Sequence, residues 1–444
     1  MPRMMEGLRD AADRFLTALP PGPLVVGYSG GLDSSVLLHW LATSPAARAR
    51  GLAALHVDHG LHPASAEWAA HGIAFAAQLG IVCHVRRVNV ARDAGLGLEA
   101  AARAARHAAF AAALPAGGAL ALAHHRDDQN ETVLLKLLRG AGPEGLAAMR
   151  DLRPFASGWL WRPLLTVPRA EIRAYAERHR LEWIEDPGNA DHDLARNFLR
   201  GEILPRLRRH WPRLDEALGH AAGHARAAAD FIARQAEIAL GTVRGEDRST
   251  LRWRAWLDLP DALRDPVLRL WLRALGHAEP TRSQVTELER QLHTTAAERL
   301  PCVTWADIAL CRYREHLHAV VRRDPPPVDW QMDWDGRPLV LPAGCGRLRL
   351  EPVDAAPAAI ARTAAPPVQV RFRRGGEWLR LPGRLHRSEL RDLFQQTGIP
   401  PWERGRLPLV CRETTVLTVG DRWISTEGRI WLAERQARLV WERT

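Results

Sequence analysis

Two stretches of the chain carry residue types that could handle a phosphoanhydride. Ser29-Gly30-Gly31-Leu32-Asp33-Ser34-Ser35 packs two glycines, three hydroxyls and a carboxylate into one short run. Glycines let a backbone approach an anion, hydroxyls add donors, and N–H groups at a helix N-terminus favour phosphate. The chain's only lysine, Lys136, lies far from this run, so no Walker A loop is present. The positive charge must then come from arginine or Mg2+, and Asp33 suits a magnesium ion as ligand. The second stretch is His124-His125-Arg126-Asp127-Asp128-Gln129-Asn130-Glu131-Thr132. Its i, i+3 spacing puts Asp128 and Glu131 on one helix face. Such carboxylates could bind an ammonium and accept its proton. They could equally cap a helix, with Glu131 as the capping-box partner of the aspartates.

Three other patterns compete. Gly27-Tyr28-Ser29-Gly30-Gly31 fits G-x-S-x-G, the nucleophile elbow of α/β hydrolases, but an elbow follows several strands and needs an upstream oxyanion loop. Gly95 to Ala100 fits G-x-G-x-x-A, yet the strand ends before the glycines and no acid stands ~20 positions on. His56, His59, His62, His124 and His125 could suggest a metal cluster. In a chain with 19 histidines, scattered ones are mostly polar surface groups, and magnesium prefers oxygen.

The elements that must hold these motifs alternate. Apolar runs at 24–28, 52–57, 81–90 and 120–123 read as strands, and 36–41, 65–79, 99–113 and 131–138 read as helices. This alternation predicts an α/β fold: a parallel twisted sheet with helices on both faces, binding ligands beyond the carboxyl ends of its strands. After Pro205 the pattern is helical to about Leu300, and Pro325-Pro326-Pro327 marks a boundary. Short strands such as 347–351 and 368–372 follow. The expected organisation is a catalytic domain over 1–205, a helical middle over 206–324 and a small α+β region over 325–444.

Composition narrows the partners. The 444 residues are 46% hydrophobic and 25% charged, which excludes a disordered tail, a collagen-like fibre and a disulfide-stapled miniature. Net charge is +10, carried almost wholly by arginine. That suits a polyanion, although genome composition produces the same bias. Between Arg371 and Arg406 nine arginines stand against four acids, with Trp378, Phe394 and Trp402 interleaved. This reads as an RNA-binding surface or as a solvated basic face over a small core. Cys83, Cys302, Cys311, Cys345 and Cys411 are odd in number and scattered, so no zinc ribbon or disulfide framework is expected and a reducing, cytoplasmic setting is. The N-terminal Arg3, Glu6, Arg9 and Asp10 do not read as a secretory signal, and no run approaches the ~20 apolar residues of a membrane span.

Further motifs complete the pattern: Val57-Asp58-His59-Gly60-Leu61 after the second strand, Gly97-Leu98-Glu99 opening a helix that carries Arg103, Arg106 and His107, and Arg139-Gly140-Ala141-Gly142 after the acidic stretch. Trp183-Ile184-Glu185-Asp186-Pro187 then precedes Arg196-Asn197-Phe198-Leu199-Arg200. Together with the S-G-G-x-D-S loop, their order and spacing resemble the tRNA(Ile)-lysidine synthases of the N-type ATP pyrophosphatase (PP-loop) superfamily. The resemblance is close from Gly27 to Pro205, nearly as close from Val370 to Val419, and loose between.

The resemblance implies an ATP-dependent ligase that adenylates the wobble cytidine of tRNA(Ile) with a CAU anticodon. The enzyme then joins free L-lysine to that base, releasing AMP and pyrophosphate and switching the tRNA from AUG to AUA reading and from methionine to isoleucine identity. It implies ATP and Mg2+ bound by Ser29, Gly30, Gly31, Leu32, Asp33, Ser34, Ser35 and Arg103, with the metal on Asp33. Asp33, Asp128, Arg196, His125, Glu131 and Asn197 would be catalytic. Asp127, Asp128, Glu131, Arg106, Arg373, Arg374, Arg387 and Arg391 would contact lysine or tRNA. His107 stands where relatives usually carry tyrosine, and Arg391 where they often carry lysine. A tRNA thiolase of the same superfamily would need cysteines beside the loop, which are absent from the sequence there. An ATP-regulated RNA-binding protein is the alternative without catalysis. Oligomeric state stays open.

Overall fold

The computed structural model describes residues 16–17, 21–90, 98–185, 195–294, 300–353 and 368–443. Two compact units divide between Arg234 and Gln235. The expectations for Gly97, for Asp186-Pro187 and for the N-terminal residues 1–15 lie outside the described residues.

The first unit is built on six strands: β1 Leu24–Gly27, β2 Ala53–Asp58, β3 Val82–Arg87, β4 Ala119–Ala121, β5 Leu152–Phe155 and β6 Gly158–Trp161. Their spatial order is β3-β2-β1-β4-β6-β5, parallel except for β5, which returns antiparallel to β6. β1 is central because its apolar run tolerates burial on both faces: Val26 pairs with Ala54 on one side and Ala121 on the other, and all three are fully buried. Helices cover both faces, as expected. The Leu32–Ala42 and Arg169–Arg178 helices pack one side around Val36, Leu37 and Ile172. On the other side, Phe110 of the Leu98–Ala113 helix and Leu114 just after it cover Val25, Leu55 and Leu120. The β5–β6 hairpin has no counterpart among the expected elements. β3 is shorter than its apolar run, because an edge strand with mostly exposed side chains loses its pairing early.

In the second unit, helices Asp261–Ala274 and Arg282–Thr294 pack around the fully buried Trp256 and Trp271. They share that core with an antiparallel sheet of Thr250–Arg252, His316–Val321, Ile308–Tyr313 and Cys302–Trp305. The helical pattern expected here leaves out this sheet, whose strands carry little regular alternation. The sheet also corrects the cysteine reading. Cys302 and Cys311 face each other across the hairpin with Cα atoms 4.1 Å apart and form a disulfide. Strand register brings them together, and no cysteine spacing motif encodes register. A five-stranded antiparallel sheet follows, in which Val368–Arg371 pairs with Leu409–Arg412.

Candidate active site

The serine–glycine run leaves β1 and turns into the Leu32–Ala42 helix, with Gly31 as N-cap. Gly30 takes φ +86°, a conformation that favours glycine, and a Cβ there would press on Ile184 at 3.1 Å. The backbone of Ile184 straps the turn by donating its N–H to Gly30 O at 2.9 Å. Inside, Ser34 Oγ donates to Gly31 O at 3.0 Å and lies 3.1 Å from Ser29 Oγ. Ser35 is fully buried against Tyr28 Oη at 3.2 Å. Ser35 therefore braces the loop from within and does not face a ligand, a correction to its expected nucleotide contact. Ser29, Gly31, Leu32, Asp33 and Ser34 line a cleft of about 1120 Å³ at the carboxyl edge of the sheet.

The opposite wall of the cleft is basic. Arg103, Arg106 and His107 project from the Leu98–Ala113 helix into it. Burial, together with the charges of Arg103 and Arg196, pulls Arg106 below its ordinary pKa, so an anion placed here would relieve mutual repulsion. His107 meets Phe155 edge-on at 5.9 Å. Asp58, at the end of β2, is nearly buried and accepts from Gly60 N at 2.8 Å and Arg87 Nε at 3.1 Å, so it shapes the neighbouring turn.

The acidic stretch starts a helix, Arg126–Leu138, five residues earlier than the apolar pattern suggests. His125 is its N-cap and donates its backbone N–H to Asp128 Oδ2 at 3.0 Å. Asp128 is thus the capping-box partner, and Glu131 is not, because Asp128 occupies the third helical position. The His125 ring is 1% exposed; its Nε2 lies 3.6 Å from Asp33 Oδ2 and 3.4 Å from Asp128 Oδ2, and its Nδ1 lies 3.8 Å from Asp127. Burial opposes its charge, but the carboxylates of Asp33, Asp128 and Asp127 around the ring outweigh burial and raise its pKa. His125 therefore joins the two sequence motifs.

Arginines enclose the other two carboxylates. Glu131 is fully buried, accepts from Arg200 Nε at 2.6 Å and Nη2 at 3.1 Å, and pairs with Arg196 Nε at 3.1 Å. Burial pushes the Glu131 carboxyl up while both guanidiniums oppose that shift. The bidentate geometry is that of an ionised pair. Asp127 accepts from Arg208 Nη2 at 2.6 Å and from Arg169 N at 3.0 Å. Arg200 also donates to Asp128 Oδ1 at 3.0 Å. Neither Asp127, Asp128 nor Glu131 lines the cleft, whereas Arg200 does. The expected open contact between Glu131 and an ammonium is corrected accordingly: two guanidiniums cover that carboxylate. Asn197 lies beside Arg196, half-buried. Sequence reasoning passed over Arg200 and Arg208; the i, i+4 spacing of Arg196 and Arg200 was the available signal.

In the second unit, Glu377 is nearly buried and draws in the arginine loop. It accepts from Arg371 Nη1 at 3.0 Å and from Arg374 N at 2.6 Å, and Arg373 Nε lies 3.6 Å away. Arg374, Arg387 and Arg391 stay exposed, while Arg373 lies over the Phe394 ring at 5.5 Å. Phe394 is fully buried with Leu390 and Leu393. It belongs to the core and not, as its interleaving suggested, to a nucleic-acid surface. Trp378 is 54% exposed.

A parallel sheet carrying a strapped serine–glycine loop, one aspartate and an arginine wall at its carboxyl edge defines an ATP-binding domain of the PP-loop class. Residues 5–207 match the PP-loop domain family. Residues 251–318 match the TilS substrate binding domain and residues 368–441 the TilS substrate C-terminal domain. The chain is 46% identical over 429 residues to a tRNA(Ile)-lysidine synthase of Xanthomonas campestris, covering 96% of this chain and 97% of that one. It is 42% identical to a tRNA(Ile)-lysidine synthase of Pseudomonas aeruginosa over 92% of each chain. The chain belongs to the tRNA(Ile)-lysidine synthase family, a family of ATP-dependent ligases. No helix among the described residues is long and apolar enough to cross a membrane.

Proposed function

We propose that this protein uses ATP to adenylate the wobble cytidine of tRNA(Ile) bearing CAU and then attaches free L-lysine to that base. The observation that carries the reading is the convergence on His125: Asp33 from the nucleotide loop and Asp128 from the acidic stretch lie 3.6 and 3.4 Å from the same ring nitrogen. Nucleotide chemistry and amine chemistry thus share one centre. In the first step the cytidine carbonyl oxygen attacks the α-phosphate and pyrophosphate leaves. The loop backbone and Ser29 hold the phosphates, while Arg103, Arg106 and His125 stabilise the developing negative charge.

Asp33 Oδ1 is buried without a hydrogen-bond partner, and Asp33 with triphosphate oxygens makes the mixed donor set that Mg2+ takes. The ion would neutralise phosphate charge there. In the second step the lysine ε-amine attacks the activated ring carbon, AMP leaves and the amine loses a proton. At pH 7 the neutral amine, with a free pKa of about 10.4, is disfavoured by roughly 4–5 kcal/mol, so a carboxylate must hold the ammonium and take its proton. Asp128, which approaches the same His125 ring nitrogen as Asp33 of the nucleotide loop, is the candidate, with Asp127 and Glu131 as the carboxylates that orient the surrounding arginines. Arg374, Arg387 and Arg391 would bind the tRNA body. The proposed division is a catalytic part (1–205), a middle (206–324) and a C-terminal RNA-binding part (325–444); the family matches at 5–207, 251–318 and 368–441 support three parts without fixing their bounds.

The test incubates purified protein with ATP, Mg2+, radiolabelled lysine and unmodified tRNA(Ile), beside the same tRNA altered at the wobble cytidine. Label on the first tRNA alone, matched by AMP release, is the expected result. ATP cleavage with no lysine incorporated would overturn the assigned nucleophile.

A further inference from the structure

The segment from Arg196 to Arg213 has two sides. Inward, Arg196, Arg200 and Arg208 reach the catalytic carboxylates. Past Arg208 the same segment runs out into solvent as Arg209, His210, Trp211, Pro212 and Arg213. Trp211 is 59% exposed and the Arg213 side chain 84%. Across 196–213, six arginines stand against a single acid, Glu202.

The backbone of Trp211 is fixed on both sides despite the exposure of its ring. Its N–H donates to Leu207 O at 2.8 Å, closing the Leu204–His210 helix, and its carbonyl accepts from Leu214 N at 2.9 Å at the start of the next helix. Trp211 caps the C-terminus of the helix that carries Arg208, three residues further along the chain. Arg208 is itself 2.6 Å from Asp127, whose other oxygen lies 3.8 Å from His125. An open indole on a fixed backbone thus stands just past the helix whose Arg208 reaches the acidic centre, with Arg209 and Arg213 beside it in the chain. Exposed Arg206 and Arg213 pair with Glu202 and Glu216 at 2.9 and 3.0 Å. Such surface pairs are weak and exchange readily for phosphate.

We propose that Trp211, flanked by Arg209 and Arg213, is a stacking platform for an unpaired RNA nucleotide next to the one being modified. An indole face accepts any base, and guanidiniums hold the phosphates on either side. The inference rests on the reading that an anticodon loop is the substrate. RNA fits better than an acidic peptide because the apolar surface is one ring, shaped for a base, beside a site that must receive one.

The test compares the full-length protein with Trp211→Ala and Trp211→Phe. Binding of an anticodon stem-loop hairpin and steady-state kinetics with whole tRNA(Ile) are both read. W211A should weaken hairpin binding and raise the KM for tRNA about tenfold, leave the KM for ATP and for lysine in place, and W211F should recover most of the loss. A hairpin with an abasic residue beside the wobble position should bind wild type and W211A equally. Equal binding of the intact hairpin by wild type and W211A would overturn the platform. So would a loss that instead follows reduced thermal stability and is not recovered by W211F. The hairpin measurement needs no turnover: a wild-type protein that fails to incorporate lysine sinks the proposed reaction, whereas the W211A comparison judges the platform separately.

Discussion

Glu131→Gln tests the arrangement of the carboxylates most sharply. The side chain has no solvent exposure, accepts two bonds from Arg200 at 2.6 and 3.1 Å, and has Arg196 at 3.1 Å. The substitution keeps volume but removes the charge and turns an amide N–H toward a guanidinium, donor against donor. Breaking a buried ion pair costs about 3–5 kcal/mol. Here the arginine side chains are 28% and 31% exposed and regain some water, so the expected loss is about 2–3 kcal/mol. In a unit of this size that lowers the melting temperature by about 4–12 °C. Arg196 and Arg200 lose their alignment, so kcat falls, while the KM for lysine shifts little because the enclosed carboxylate does not meet the ammonium. Thermal melts and lysine-dependent kinetics read both effects. An unchanged melt with a lysine KM raised more than tenfold would refute the reasoning, since it would make Glu131 an open ammonium site.

Asp33→Asn should abolish AMP release while leaving tRNA binding near wild type, and raising Mg2+ should not restore it; rescue by excess Mg2+ would mean that Asp33 is only an auxiliary ligand. Asp128→Asn should raise the KM for lysine more than that for ATP, and an equal rise in both would remove its ammonium role. His125 has a raised pKa, so its proton stabilises the folded protein fully below the unfolded value near 6.5 and ceases to do so as pH rises through the folded value. His125→Gln should flatten that alkaline decline in melting temperature, and an unaltered pH profile would show the ring to be neutral. Replacing Arg374, Arg387 and Arg391 with alanine should reduce the slope of log binding constant against log salt by about 0.7–0.9 for each phosphate no longer neutralised, read by tRNA binding at several salt concentrations.

Much of this was legible in one dimension. The central strand, the glycine turn and the parallel order follow from local apolar runs, turn residues and the 3.6-residue period, all of which are short-range. Asp33 and Asp128 could be chosen because their motifs sit where strand meets helix, the edge at which such sheets bind ligands, whereas Arg103, Arg106 and His125 followed from the family resemblance. Other features depended on distant partners. Phe394 looked like one of three interleaved aromatics but closes a core, and Ser35 looked like a phosphate donor but braces Tyr28.

Residue type and local spacing suffice for a phosphate-binding loop at a helix start and a basic C-terminal region, and the order of the motifs carries the resemblance to PP-loop ligases. Which groups face the cleft, and which hold the others in place, emerges only with the folded chain. Arg200 and Arg208 lie 69 and 81 positions along the chain from the carboxylates they clamp, and Cys302 meets Cys311 only through strand register. Pairings of that kind arise when chain folding brings remote charges into one low-dielectric space. Their strength depends on burial and distance, neither of which is written in local order.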